Sequence, residues 1–191
     1  MGLTVEKCLQ AWTNSLKQMN AKADIVFFGD SLTYYGDFST VFPNKIVCNL
    51  GLRGDTIQGM IDRVKQVCLL EPDKVFLMAG INDVACYSDT GFETMYEKLV
   101  SVIMQKLPNA EIIIQSLLPV NDQEFQISCH NYQIEECNKI IMGVASNHKL
   151  QFVDLYTQYE NNGILAKEDT LDGLHLCTSK YLIWYDLIKG L

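Results

Sequence analysis

Positive charge is scarce in this sequence. Fifteen lysines and arginines stand against 23 aspartates and glutamates, a net charge of −8, and the isoelectric point lies near 4.8. The basic residues are scattered singly, so nothing is present to draw in a phosphate backbone or an anionic lipid surface; nucleic-acid and membrane-surface partners are not expected. Long apolar runs are also missing, none approaching the roughly 20 residues of a membrane span. The seven cysteines (Cys8, Cys48, Cys68, Cys86, Cys129, Cys137 and Cys177) include no Cys-x-x-Cys pair. Most sit in apolar stretches such as Ile46-Val47-Cys48 and Val67-Cys68-Leu69, where a thiol acts as a small hydrophobe. That usage argues against a disulfide framework or a structural zinc and for a reducing compartment. The stretch Met1 to Glu6 carries charge too early for a secretory core, and Glu6 stands where a myristoylation signal wants Ser or Thr. A cytoplasmic protein is expected, with residues 1–191 forming one domain.

What is present is a single alternation of element types from end to end. Val5, Cys8, Leu9, Trp12, Leu16 and Met19 recur at helical spacing and predict an amphipathic helix over 5–19. The run Asp24-Ile25-Val26-Phe27-Phe28-Gly29 is short, apolar at consecutive positions and closed by glycine, as a strand buried on both faces is. Further strands are predicted at 45–49, 74–80, 111–117 and 151–155. Helices are predicted at 56–70, 92–107, 128–147 and 178–189, with Pro72, Pro108 and Pro119 marking where elements stop. Five such strands separated by amphipathic helices imply a parallel sheet covered on both faces, an α/β layered fold. In open sheets of this kind ligands sit beyond the carboxyl ends of the strands.

Four blocks fall at that edge: Gly29-Asp30-Ser31-Leu32-Thr33, Asn49 through Gly51 to Gly54-Asp55, Gly80-Ile81-Asn82-Asp83, and Asp172-Gly173-Leu174-His175. Singly, each has a plainer reading. Gly-Asp-Ser is commonly a turn, Gly54 a position needing positive φ, Asn82-Asp83 a loop cap, and His175 a structural histidine. Together they supply the parts of acyl transfer. A serine hydroxyl needs a base within hydrogen-bond reach, and the imidazole needs a carboxylate on its other nitrogen. Asp172 lies three residues before His175, with Gly173 easing the turn between them. The developing oxyanion needs preset donors, available as the backbone N–H groups of Ser31 and Gly54 and the amide of Asn82. The second block also offers Gly51; Gly54 is preferred because Asp55 and Thr56 follow it, and the choice between the two stays open.

These blocks resemble those of the SGNH (GDSL-type) hydrolases, a superfamily of esterases, lipases, thioesterases and carbohydrate deacetylases. Phe28 to Thr33 resembles the nucleophile block, Asn49 to Thr56 the block with the oxyanion glycine, Gly80-x-Asn82-Asp83 the one with the oxyanion asparagine, and Asp172-x-x-His175 the terminal block. The resemblance implies a flavodoxin-like three-layer α/β/α sandwich with a five-stranded parallel sheet. It also implies Ser31 as nucleophile, His175 as base, Asp172 as its orienter, and no cofactor. Leu176 stands where the family often has proline. The α/β-hydrolase elbow G-x-S-x-G is not met, since position 33 is Thr.

The expected function is hydrolysis of short-chain acyl esters, acetyl first, of small alcohols or carbohydrates. A lysophospholipid or thioester acylhydrolase is the runner-up. A metal-dependent hydrolase built on Asp30, Asp83, Asp172 and His175 leaves Ser31 and Asn82 without roles; Asp30 and Asp83 are read as loop braces, and no metal is expected. A flavodoxin-like binding module would need a phosphate-cradling loop, and neither a P-loop nor G-x-G-x-x-G occurs. A catalytically dead relative would lack a required residue, and none is lacking. His130 and His148 read as surface or capping residues, Cys177 as packing near the last helix, and Trp12 and Trp184 as core. Tyr34, Tyr35 and Phe38 either wall the substrate pocket or pack. Arg53 either meets an anionic or polar leaving group or pairs with Asp55. The segments 121–125 and 156–169 are expected to carry specificity. The sequence leaves a homo-oligomer open.

Overall fold

The structure, a computed structural model, describes residues 5–84 and 89–191, so Cys86 and the residues 1–4 of the leader argument lie outside the described residues. The chain opens with helix α1 (Val5–Met19) and runs into strand β1 (Ile25–Gly29), which is buried along its whole length. The one-turn helix α2 (Ser31–Tyr34) and a 3-10 turn (Phe38–Thr40) precede β2 (Val47–Gly51) and α3 (Ile57–Leu69). Then come β3 (Lys74–Leu77), α4 (Ile81–Val84), α5 (Asp89–Lys106), β4 (Glu111–Gln115), α6 (Asn131–Asn147) and β5 (Gln151–Val153). The final third holds α7 (Tyr156–Tyr159), a hairpin of β6 (Glu160–Asn161) and β7 (Ile164–Leu165), and α8 (Tyr181–Ile188).

The five main strands form one parallel sheet in the order β2-β1-β3-β4-β5, with Gly29 opposite Gly51 at the carboxyl edge. Adjacent residues of β1 show why both faces are covered, because side chains alternate across a strand. Phe27 stacks on Phe38 and Phe76, centroids 3.8 and 4.6 Å away, and Phe38 meets Trp184 of α8 edge-on. Phe28 points the other way, under the guanidinium of Arg63 in α3. On that second face α1 packs on α3, α3 on α5 and α5 on α6. The fold is the expected three-layer α/β/α sandwich on a five-stranded parallel sheet.

Element boundaries differ from the sequence pattern where local hydrogen bonds intervene. Strand two begins at Val47 rather than residue 45, because the Lys45 N–H closes a turn on Phe42 and the Ile46 N–H goes to the Asp24 carboxylate. Strand three stops at Leu77; Met78, Ala79 and Gly80 stay buried, but Gly80 turns the chain at φ +121°. The α1 stripe is shorter than its periodicity, since Met19 is 73% exposed. Residues 178–180 form a 3-10 turn before α8. The segment 156–169 is folded into α7, the hairpin and a further 3-10 turn rather than an open loop. His130 and His148 sit at the two ends of α6, and His148 also reaches Glu97 of α5 at 2.5 Å. Cys177 precedes the 178–180 turn, its N–H on the Asp169 carbonyl.

Candidate active site

β1 hands its chain directly to the site. Asp30 follows the last strand residue in an extended conformation, and its carboxylate accepts the Leu32 N–H at 2.9 Å, capping α2. That cap puts Ser31 at the first helical position with only 5% of its surface exposed. Tyr181 of α8 holds the far side of α2, its hydroxyl donating to the Leu32 carbonyl at 2.7 Å. The Ser31 N–H has no acceptor among the described residues.

The turn carrying Asp172 and His175 is built by its own residues. Gly173 takes φ +89°, and a Cβ there would sit 2.6 Å from Cβ of Phe125. Its N–H donates to Thr170 Oγ1, and its carbonyl accepts from the Asn121 N–H at 2.8 Å. The 121–125 segment thus abuts this turn. Asp172 Oδ1 accepts the backbone N–H groups of Leu174 and His175, at 3.0 and 2.8 Å. Its Oδ2 lies 2.7 Å from His175 Nδ1, and His175 Nε2 lies 2.8 Å from Ser31 Oγ. Partial burial alone would raise the Asp172 carboxyl. The hydrogen bonds from His175 and Leu174 outweigh it and hold the group below the usual carboxylate range. Residues 144 positions apart therefore meet as an Asp–His–Ser relay.

The neighbouring strand ends hold the candidate oxyanion donors. Gly54 adopts φ +72°, and a Cβ built there would meet nothing within 4 Å, so its glycine answers to backbone conformation rather than crowding. The Gly54 N–H has no acceptor among the described residues, whereas the Gly51 N–H donates to Asn49 Oδ1 at 2.8 Å. Gly51 serves close approach instead: its Cβ would fall 2.2 Å from the Tyr34 nitrogen. Asn82 donates one amide hydrogen to the Asp55 carbonyl at 2.8 Å and keeps its second. Asp83 accepts the N–H of Ile57, the first residue of α3, at 3.0 Å.

Two residues passed over in the sequence reading join these pieces. Asn49 Nδ2 donates to the carbonyls of Thr33 and Gly36, tying β2 to the chain after Ser31. Arg63, 1% exposed, pairs with Asp55 at 2.6 Å and donates to the carbonyls of Leu50 and Gly29, with its guanidinium 4.4 Å from the Phe28 ring centroid. Its sequence signal is an arginine on the apolar stripe formed by Met60, Val64 and Val67. Asp55 is thus partnered by Arg63, and Arg53 lies instead over the Tyr35 ring at 5.7 Å. Asp30, Asp55 and Asp83 are all buried, and Arg63 pairs with Asp55 while its charge also acts on Asp30. Burial, with the Asp55 and Asp83 charges adding to it, pushes the Asp30 carboxyl up to about 7 against the opposing Leu32 N–H bond.

Of the aromatic residues after Ser31, Phe38 is in the core. Tyr34 and Tyr35 are 52% and 45% exposed, and Tyr35 stands edge-on to His175 with centroids 5.4 Å apart. Among the described residues no cluster of three or more His, Cys, Asp or Glu is arranged to hold a metal ion, and no helix is long and apolar enough to cross a membrane.

Comparison with known proteins places this geometry. The chain is 25% identical over 167 residues to platelet-activating factor acetylhydrolase IB subunit alpha2 of Rattus norvegicus, covering 83% of this chain and 71% of the relative. A Streptococcus pneumonia protein provisionally described as a platelet activating factor has a TM-score of 0.83 at 25% identity, over 97% of this chain and 93% of that one. A GDSL-like lipase from Bacteroides thetaiotaomicron VPI-5482 shares the fold, with a TM-score of 0.79 at 22% identity over 95% of both chains. The model of the GDSL-like Lipase/Acylhydrolase family matches residues 27–178, a span that takes in all four blocks around the relay, and the chain belongs to that family.

Proposed function

We propose that the protein is a carboxylic ester hydrolase that removes short acyl groups, acetyl first, from small alcohols or carbohydrates through an acyl-enzyme on Ser31. The observation that carries this reading is the unbroken relay from Asp172 through His175 to Ser31, at 2.7 and 2.8 Å.

In this mechanism His175 Nε2 takes the Ser31 proton as Oγ attacks the ester carbonyl carbon, and Asp172 fixes the tautomer and stabilises the imidazolium. The carbonyl oxygen becomes an oxyanion facing the N–H groups of Ser31 and Gly54 and the second amide hydrogen of Asn82. Gly51, whose N–H is already donated within its own strand end, has no part in it. As the tetrahedral intermediate collapses, the bond to the alcohol oxygen breaks and His175 returns the proton to that oxygen. Water, deprotonated by His175, then releases the acid and restores Ser31. Asp30 and Asp83 brace the loops through their backbone bonds.

A short acyl group is favoured because β1, β2 and β3 pass within a few residues into α2, α3 and α4, leaving little chain for a long acyl tunnel. The rat relative is by name an acetylhydrolase. The test is a series of 4-nitrophenyl esters from acetate to laurate with wild type and Ser31→Ala. Wild type should turn over acetate best, and Ser31→Ala should lose at least about a thousandfold in kcat with an unchanged melting temperature. Undiminished turnover in Ser31→Ala overturns the serine mechanism, and a preference for laurate overturns the acyl assignment.

A further inference from the structure

On the substrate's alcohol side stands one cation that has no hydrogen-bonded or ion-pair partner among the described residues. The carboxylate nearest Arg53 in sequence, Asp55, is held by Arg63 at 2.6 Å. Arg53 itself is exposed and makes no hydrogen bond or ion pair among the described residues. Its contact is with an aromatic face: the guanidinium carbon lies 5.7 Å from the centroid of Tyr35. Tyr35 in turn meets His175 edge-on at 5.4 Å, and His175 touches Ser31. His175, Tyr35 and Arg53 therefore form a row leading outward from the nucleophile.

The chemistry of the proposed reaction says which part of a substrate lies along that row. His175 Nε2 must deliver its proton to the oxygen of the departing alcohol, so that alcohol leaves beside His175 and against Tyr35. The acyl carbonyl lies on the other side, toward Gly54 N–H and Asn82. A guanidinium held over an aromatic ring, with no hydrogen bond of its own, keeps its donors available for a carboxylate, sulfonate or phosphate. In a chain of charge −8 a lone accessible cation at this place acts against the molecule's general repulsion of anions.

We infer that Arg53, presented on Tyr35, selects acyl esters whose alcohol carries a negative charge. The inference rests on the esterase reading above and adds the substrate class to it. Arg53 is here a specificity-determining residue that contacts the leaving group and leaves bond making to Ser31 and His175.

The test uses two acetyl esters of similar shape, phenyl acetate and 4-sulfophenyl acetate, and reads the ratio of their kcat/KM values, so that each variant is its own control for leaving-group reactivity. Arg53→Ala should lower the sulfonated-to-plain ratio about fivefold, as expected for a partly exposed ion pair. The loss should appear in KM of the sulfonated ester, because the contact is the same in ground and transition states. Arg53→Lys should keep part of the ratio and Arg53→Glu should fall below Arg53→Ala. Added salt should narrow the wild-type ratio. An unchanged ratio in Arg53→Ala overturns the inference while leaving the esterase reading standing. Folded wild type that hydrolyses neither ester, or Ser31→Ala that hydrolyses both undiminished, overturns the serine-esterase reading and this inference with it.

Discussion

Asn82 does two things with one amide group. One hydrogen is spent on the Asp55 carbonyl at 2.8 Å, which fixes the plane of the side chain and ties the Gly54 loop to α4. In the proposed reaction the other is left for substrate, and a donor already oriented loses no reorganisation when charge develops on the carbonyl oxygen. Asn82→Ala should therefore lower kcat about a hundredfold while changing KM by less than about threefold. The lost tether to Asp55 is worth about 1 kcal/mol, so the variant should remain folded at assay temperature, which a melting curve checks. A raised KM with kcat preserved would mean that the amide binds the ground state, and the oxyanion assignment would fall. At this scale the residues of the relay were legible because their pattern is local: Asp172 and His175 lie one glycine-eased turn apart, and Ser31 follows a strand. The choice between Gly51 and Gly54 was not legible, because it depends on which N–H the Asn49 side chain captures.

The strand ends stay in place because one helix reaches underneath them. Arg63, from the second turn of α3, donates to the last carbonyl of β1 at Gly29 and to Leu50 in β2, and neutralises Asp55 in the loop between β2 and α3. Burial in these surroundings works against its charge, and the Asp55 carboxylate at 2.6 Å offsets that. Arg63→Met fills similar space but leaves Asp55 buried without its counter-ion, holding only the Thr56 N–H among the described residues. Loss of one member of a buried pair costs about 3 to 5 kcal/mol. Urea unfolding of Arg63→Met should show a destabilisation of that size, and Arg63→Met/Asp55→Asn should recover part of it. A double variant no more stable than the single one would show that the carbonyl contacts, rather than the ion pair, carry the effect. The elements themselves were readable from periodicity, since β1, β3 and β4 are runs buried on both faces. Their ends were not, because Ile46 and Met78 continue the apolar pattern while side-chain and turn bonds end the ladder. The short α2 and α4 have no periodicity to read; they exist because the chain must turn sharply at the strand ends, with Asp30 capping the first.

Over the whole molecule the excess of negative charge extends inward, to the buried carboxylates Asp30, Asp55 and Asp83 with Arg63 as the buried cation paired to Asp55. Asp30 carries the consequence. Fully buried, with Oδ2 lacking a hydrogen-bond partner among the described residues, it is pushed up to about 7, whereas in the unfolded chain it titrates near 3.8. Between those values the folded state keeps a proton that the unfolded state releases, so stability falls as pH rises from about 4 to about 7 and levels off above. A difference of about three pH units corresponds to a loss on the order of 4 kcal/mol across the window. Asp172 contributes the opposite sign, because its carboxyl is held low and its stabilisation is lost only as pH falls below the ordinary carboxylate range. The two regions separate in pH, while Asp55, which burial also raises, acts with the same sign as Asp30. Asp30→Asn retains the acceptor for the Leu32 N–H and removes the ionisation. Urea midpoints taken from pH 4.5 to 8 should decline in wild type and decline clearly less in Asp30→Asn. An equal decline in both would assign the slope to another buried group, with Asp55, which burial also raises, the first to substitute.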